Sequence, residues 1–435
     1  MKVLFINVGG SDVPIVTSIK NHRPDQVIFF ATETTGKTSV GSRETIDGEG
    51  LVCKDRPMDG SEPKDRPSIV KQTGLTSGQY KIIIVKHDDP YDIYMKAEPL
   101  ILEHIKENHE VLVDYTFGTK SMSAGLAAAG MEHPECTLTV VTGARISTVR
   151  VQDGMERIAK LPMNKVFIRR QLNAWREFFA ERDYYSAQKV LEVISTYGGD
   201  YGDDGTIERL YYLSHGFTEW DRFNYQDALN YISLYKDEEK IAPYNKNLNL
   251  LIAAMKFYKE WSKDNKKKPP GDGFLLVYDI MYNAKRKGEQ GYYDDAVARI
   301  YRAIEMYAQF CLMTSEQRMS TDDIQIDLLP EHCRKIFETK RDQESNKIKV
   351  GLRDAYEILV HLNHPVGQVW QKWGRKVINE NMKRNYSFLA HGIEPVTKEQ
   401  YEEMIATIWT FFAECDQAMG FKNGINDYLQ LPTEI

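Results

Sequence analysis

Four short stretches carry residue types that can do chemistry. The first is RNYSFLAH, residues 384–391, in which Arg384 and His391 stand seven positions apart. On one helix that spacing returns to nearly the same face, ~10 Å along the axis. A guanidinium there can stabilise negative charge that builds on phosphorus. An imidazole titrating near ~6.5 can move protons at neutral pH. The same spacing also suits a surface Arg and a His at a helix end, where the dipole favours it. The second stretch is DYTFGTKSMSAGL, residues 114–126. It leaves an apolar run, turns at Gly118 and opens an Ala-rich segment. Thr116, Thr119 and Ser121 supply hydroxyls, Lys120 a charge, and a helix start supplies unpaired N–H groups, a set that suits a phosphate or nucleotide. A capped helix start uses the same residues, since Ser and Thr are good caps.

The third stretch, NVGGSDVP (7–14), places Gly9, Gly10 and Ser11 after an apolar run, where bare backbone can approach a ligand. It is not a GxGxxG fingerprint, because positions 11 and 14 are Ser and Pro. The fourth, ATETTGKTSV (31–40), contains Gly36-Lys37-Thr38, but a phosphate loop needs Gly where Ala31 stands. It reads as a polar loop opening at Thr32 that can line a ligand site. His361 and His364 make an HxxH pair before Pro365, without a Cys or carboxylate cluster beside it, so no metal site is expected. Asp294-Asp295 and Asp322-Asp323 read as helix-start caps.

These residues need elements to hold them. In the first 155 residues, VLFINVG (3–9), QVIFFAT (26–32), KIIIVKH (81–87), VLVDYT (111–116) and CTLTVVT (136–142) are short apolar runs rich in β-branched residues. Such continuous runs suit parallel strands buried on both faces. Helix-like segments at 93–108 and 121–132 lie between them. The pattern predicts an α/β, doubly wound, mostly parallel sheet, with ligands beyond the carboxyl ends of its strands. Residues 53–74, with prolines and many charges, read as a surface excursion.

After about residue 163 the apolar spacing becomes helical. A phrase of aromatic residues followed by Ala recurs at 184–191, 223–232 and 292–301. Its uneven spacing argues against a regular solenoid and for paired helices that set aromatic against small residues. The run KDNKKKPPGDG (263–273) reads as a linker. The expected division is 1–155, a helical connecting region 156–272, and an all-α domain 273–435.

The chain has 435 residues, 42% hydrophobic and 27% charged, and a net charge of −7. The charge argues against coating nucleic acid by bulk electrostatics but leaves room for a small basic site. No apolar stretch reaches the ~18 residues a membrane span needs, and the start MKVLFINVGG reads as a buried strand rather than a leader. Cytoplasmic residence is the expectation. The five cysteines are scattered, with no CxxC pair, and read as reduced thiols.

Together these motifs resemble the CARF–HEPN ribonucleases of type III CRISPR systems, over essentially the whole chain. The first half resembles a CARF domain, whose D-x-T-G-G-T-K-x-M-S turn reads here Asp114-Tyr115-Thr116-Phe117-Gly118-Thr119-Lys120-Ser121-Met122-Ser123, with Phe117 in place of the first glycine. Arg384, Asn385 and His391 match the HEPN signature R-x4–6-H, and 292–309 is similar to the helix that opens one branch of this domain. The resemblance implies a Rossmann-like sensor, a HEPN domain at the C-terminal end, and a homodimer that binds a cyclic oligoadenylate as allosteric activator across its two-fold axis. It implies cleavage of single-stranded RNA with no metal or other cofactor: the 2′-OH attacks phosphorus, His391 handles protons, Arg384 holds the phosphate and Asn385 orients the motif. The alternative is a nucleotide-sensing regulator without catalysis, whose helical half binds a partner.

Overall fold

The structure, a computed structural model, describes residues 1–34, 41–54, 64–142, 157–161, 164–196, 205–261, 273–390 and 392–435. It divides into two compact units: Met1–Asn173 with Glu192–Asp204, and Ala174–Leu191 with Gly205–Ile435.

The first unit is built on six strands: β1 (Lys2–Asn7), β2 (Gln26–Ala31), β3 (Tyr80–Ile84), β4 (Glu110–Asp114), β5 (Thr137–Thr142) and β6 (Arg157–Leu161). Their order is β3-β2-β1-β4-β5-β6, parallel except for antiparallel β6 at the edge. Helices α1 (Val13–His22), α2 (Glu44–Asp47), α3 (Ile69–Thr73), α4 (Pro90–Lys106) and α5 (Lys120–Met131) surround it. Alternate residues of β1 face opposite cores, as pleating requires. Val3 and Phe5 pack with Ile93, Ala97 and Leu126 of α4 and α5. Leu4 and Ile6 pack with Ile15 and Ile19 of α1. Both faces are covered, which is why the strands read as unbroken apolar runs. The sequence did not single out β6: RIAKL has one short alternation and no apolar run. Strand order reverses direction between β1 and β4, so the switch point, where such sheets bind ligands, lies between the loops after Asn7 and Asp114.

The second unit is helical. Its elements are α6 (Asn164–Ala180, which begins in the first unit), α7 (Tyr184–Thr196, which ends in the first unit), α8 (Thr206–Asp221), α9 (Tyr225–Ile232), α10 (Ala242–Trp261), α11 (Leu275–Glu289), α12 (Tyr293–Thr314), α13 (Glu331–Glu338), α14 (Leu352–His361), α15 (Pro365–Asn385) and α16 (Lys398–Ala418). The recurring aromatic–Ala phrase marks the turn of a helical hairpin. Arg182, Phe223 and Gly291 all have positive φ, at 58°, 65° and 84°. Each N–H bonds back three residues, and the next N–H bonds back five: Asp183 to Phe178, Asn224 to Glu219, Tyr292 to Lys287. This is the Schellman closure. The carbonyl of that next residue then accepts from Ala187, Ala228 or Ala296 and starts the following helix. Asn363, at φ 53°, makes the same turn without the aromatic phrase.

Two buried carboxylates organise this core. Asp279 accepts from Trp220 Nε1 and the hydroxyls of Tyr225 and Tyr428, at 2.9, 2.7 and 2.7 Å. Asp416 accepts from Tyr278 and Tyr307, both at 2.8 Å, and from the Ile425 N–H at 2.7 Å. Burial pushes both carboxyls above their usual range, against those donors. Further bonds fasten the last residues: Arg182 to the Leu431 carbonyl and Tyr184 to that of Pro432. All five cysteines are buried free thiols, as their scatter leads one to expect. The linker run lies almost wholly outside the described residues, as do Gly36-Lys37-Thr38. No helix among the described residues is long and apolar enough to cross a membrane.

Candidate functional sites

At the switch point the two glycine loops meet. A Cβ on Gly9 would lie 2.8 Å from the Gly118 nitrogen, so bare backbone faces bare backbone there. Gly118 has φ 89°, and a Cβ would meet the Met122 side chain, so only glycine suits the turn. Thr119 caps α5, accepting from the Met122 N–H at 3.2 Å and donating to the His87 carbonyl. Lys120 and Gly10 are exposed, and Ser11 and Ser121 half-buried, beside that helix start.

Not every residue singled out in the sequence is free for a ligand. The Phe117 side chain is buried among Leu4, Ile6, Val8 and Ile15. The Thr116 hydroxyl bonds Asp114 and accepts from the Val141 N–H at 2.8 Å. Asp114 is fully buried, and burial raises its pKa against the hydrogen bonds of Ser18 and Thr116. Thr32 closes the base of its loop: its N–H donates to Ser42 at 3.2 Å, and its hydroxyl accepts from the Ser42 N–H at 3.1 Å. It also borders a cleft of about 510 Å³ with Glu33, Lys86, His87 and Lys96. Sequence reasoning missed Asn7. It ends β1 fully buried, and its side-chain amide has no hydrogen-bond partner among the described residues. It also missed Asp12, a buried carboxylate before α1. Burial raises its pKa, but Arg66, at 2.8 and 2.9 Å, and Gln72, at 2.7 Å, outweigh that and hold it below the usual range.

In the second unit α15 ends at Asn385, so the helix-face argument for Arg384 and His391 does not hold. The chain turns back instead. The Ser387 N–H bonds the Arg384 carbonyl at 2.9 Å, and the Ser387 carbonyl accepts from Ala390 and Gly392 at 3.0 and 3.1 Å. His391 lies outside the described residues, between those two anchors. The Arg384 guanidinium sits 4.6 Å over the ring of Tyr301 on α12, a cation–π contact. Its Nε has no partner among the described residues. Burial raises the Tyr301 pKa, Glu305 raises it further by charge and hydrogen bond, and Arg384 opposes them. Asn385 is exposed. So are the apolar side chains around it: Tyr386 and Phe388 are each 62% exposed and Ile393 80%.

The HxxH pair separates. His361 Nδ1 meets His332 Nε2 at 3.1 Å, while His364 Nδ1 accepts from the Val366 N–H at 3.2 Å. Burial lowers the His364 pKa to about 4. Asp294 and Asp295 stand in the first turn of α12, where Asp294 accepts from the Val396 N–H and Asp295 pairs with Arg299. Asp322 and Asp323 lie in a turn bridged from Ser320, not at a helix start.

Residues 238–414 match the family model described as the Csm6 HEPN domain. Enterococcus italicus Csm6 bound to cyclic hexa-2′-fluoro-hexa-dAMP aligns over 97% of this chain and 98% of that one, at 14% identity and a TM-score of 0.46. No curated protein matches the chain.

Proposed function

We propose that this protein is a cyclic-oligoadenylate-activated endoribonuclease of type III CRISPR antiviral defence, cutting single-stranded RNA without a metal. The observation that carries the reading is Arg384, held on Tyr301 at the mouth of an exposed loop within the segment matching the Csm6 HEPN family. In this scheme Arg384 receives the charge developing on phosphorus, Asn385 orients the motif, and His391 moves protons as the 2′-OH attacks. The stacked tyrosine limits the rotamers of Arg384, so less entropy is lost when phosphate arrives.

The ring ligand belongs at the switch point, on Gly9, Gly10, Ser11, Gly118, Lys120, Ser121 and the free N–H groups of α5. Thr32, Thr116, Phe117 and Thr119 shape that surface through their backbone or by bracing the loops. A two-fold homodimer suits a symmetric ring, because each subunit offers the same patch. The apolar rim around Arg384 supports pairing of two HEPN loops into one composite cleft. Activation is then a population shift toward the arrangement whose cleft is competent, and residence is cytoplasmic. The test is cleavage of single-stranded RNA with synthetic rings of each size, in EDTA. Stimulation by one ring size is expected. Failure of every ring to bind or stimulate overturns the reading.

A further inference from the structure

We propose that His332, Cys333 and His361 form a zinc site that fastens α13 to the end of α14. The proposal uses none of the residues assigned to RNA cleavage and stands or falls apart from that reading.

Three donors converge from two elements. His332 Nε2 lies 3.1 Å from His361 Nδ1. Cys333 Sγ lies within 4.8 Å of a ring nitrogen of each histidine. Zinc binds imidazole nitrogen at ~2.0–2.1 Å and thiolate at ~2.3 Å in a tetrahedron. Two nitrogens on one zinc are therefore ~3.4 Å apart, and nitrogen and sulfur ~3.6 Å. The imidazoles are already within a few tenths of an ångström of that spacing, and the sulfur needs to move by about an ångström at most. Binding sends the thiol proton to solvent. The Pro330 carbonyl, to which Cys333 donates at 3.1 Å, loses only a weak donor.

The surrounding chain gives the site a task. Between α12 and α14, regular structure is limited to α13, one 3₁₀ turn at Ile326–Leu328 and two isolated bridges, Ser320–Asp323 and Arg341–Ile348. A helix of eight residues is too short to hold itself in water. Its buried side chains are Cys333 and Phe337, and the Phe337 ring stands edge-on to His361. His332 is exposed and gains little from a bond to another imidazole when water offers the same. With sulfur inside and His332 outside, a metal closes α13 onto the last residue of α14 and takes water as its fourth ligand. Its binding energy then contributes to folding.

A second cluster, His104, Glu107 and His109 at the C-terminal end of α4, offers two nitrogens 3.0 Å apart with a carboxylate 3.8 and 3.4 Å from them. It has no sulfur, so the experiment reads the thiolate. The full chain is stripped with chelator and titrated with Co²⁺, whose thiolate bond gives a charge-transfer absorption. One thiolate-bound Co²⁺ per chain, displaced by Zn²⁺, is expected. Cys333→Ser should abolish the band and His109→Ala should leave it unchanged. His332→Gln alters an exposed side chain that packing does not need. It should weaken zinc by more than the ~10–100-fold that loss of a second-shell partner costs, with circular dichroism unchanged. No thiolate band in the folded wild-type chain overturns the proposal. So does a band that survives in Cys333→Ser, or wild-type zinc affinity in His332→Gln, which also decides the matter if Cys333→Ser does not fold.

Discussion

Arg384 is a cation resting on a ring, and the ring can be altered without touching the cation. Tyr301→Phe keeps the aromatic face and should cleave RNA at close to the wild-type rate. Tyr301→Ala removes the face. A cation–π contact is worth ~0.5–2 kcal/mol, so a loss of ~3–30-fold in kcat is expected. Arg384→Ala should cost more, ~10²–10³, as loss of an oxyanion donor does, with ring binding unchanged by calorimetry. Equal rates for Tyr301→Ala and wild type would show that the stack positions nothing. Arg384 is legible from sequence because Arg384, Asn385 and His391 fall within one short stretch, 384–391. Tyr301 is not, because its role comes from tertiary packing of α12 against the end of α15, which no local spacing records. The geometry inferred for the pair is misleading for a related reason. A period of seven fits a helix, but the chain closes its turn on the Ser387 carbonyl before His391 is reached.

At the scale of elements, the helical hairpins share one turn chemistry with different residues in the left-handed position. Gly291 adopts φ 84° in open space, so Gly291→Ala meets no steric contact and pays only for its backbone. A cost of ~1–2 kcal/mol in urea unfolding is expected. The aromatic–Ala phrase was legible as a recurrence. Its meaning was not, because the left-handed residue can be Arg, Phe or Gly and the closing bonds are made by backbone alone. His364 precedes α15 and supplies a further test. Its folded pKa, about 4, lies below the unfolded value of 6.5. Above pH 6.5 both states are neutral and the group has no effect. As pH falls from 6.5 toward 4, the unfolded chain takes a proton that the folded chain refuses, and stability is lost across that window. The full shift corresponds to ~3 kcal/mol. Solvent contact at this half-buried ring reduces the expected loss to ~1–2 kcal/mol. His364→Asn keeps a capping side chain and removes the titration. Its unfolding free energy should fall less than that of the wild type between pH 7 and 4.5.

For the whole molecule, the sheet was readable because parallel strands buried on both faces leave unbroken apolar runs. Antiparallel β6 leaves none, and Asn7 is invisible as a candidate because its unpaired amide is a property of burial, not of sequence. The apolar rim at Tyr386, Phe388 and Ile393 places a hydrophobic surface beside the Arg–Asn turn. Patches of this kind mark association sites. Phe388→Glu should shift the particle toward monomer in light scattering and lower ring-stimulated cleavage by at least ~10-fold, without changing circular dichroism. A monomeric wild-type protein with full activity would remove the need for a composite cleft.

The burial of every cysteine gives the intact protein a built-in clock. A thiol-reactive probe has nothing to modify until some part of the chain opens, and burial holds Cys53 and Cys136 at pKa values of about 11 and about 12. Those two report the first unit, while Cys311, Cys333 and Cys415 report the second. Peptide mapping after timed alkylation in mild denaturant therefore reads out which unit opens first. A single cysteine placed on the surface, at the exposed Ser77 for instance, would be the one site that labels the folded protein.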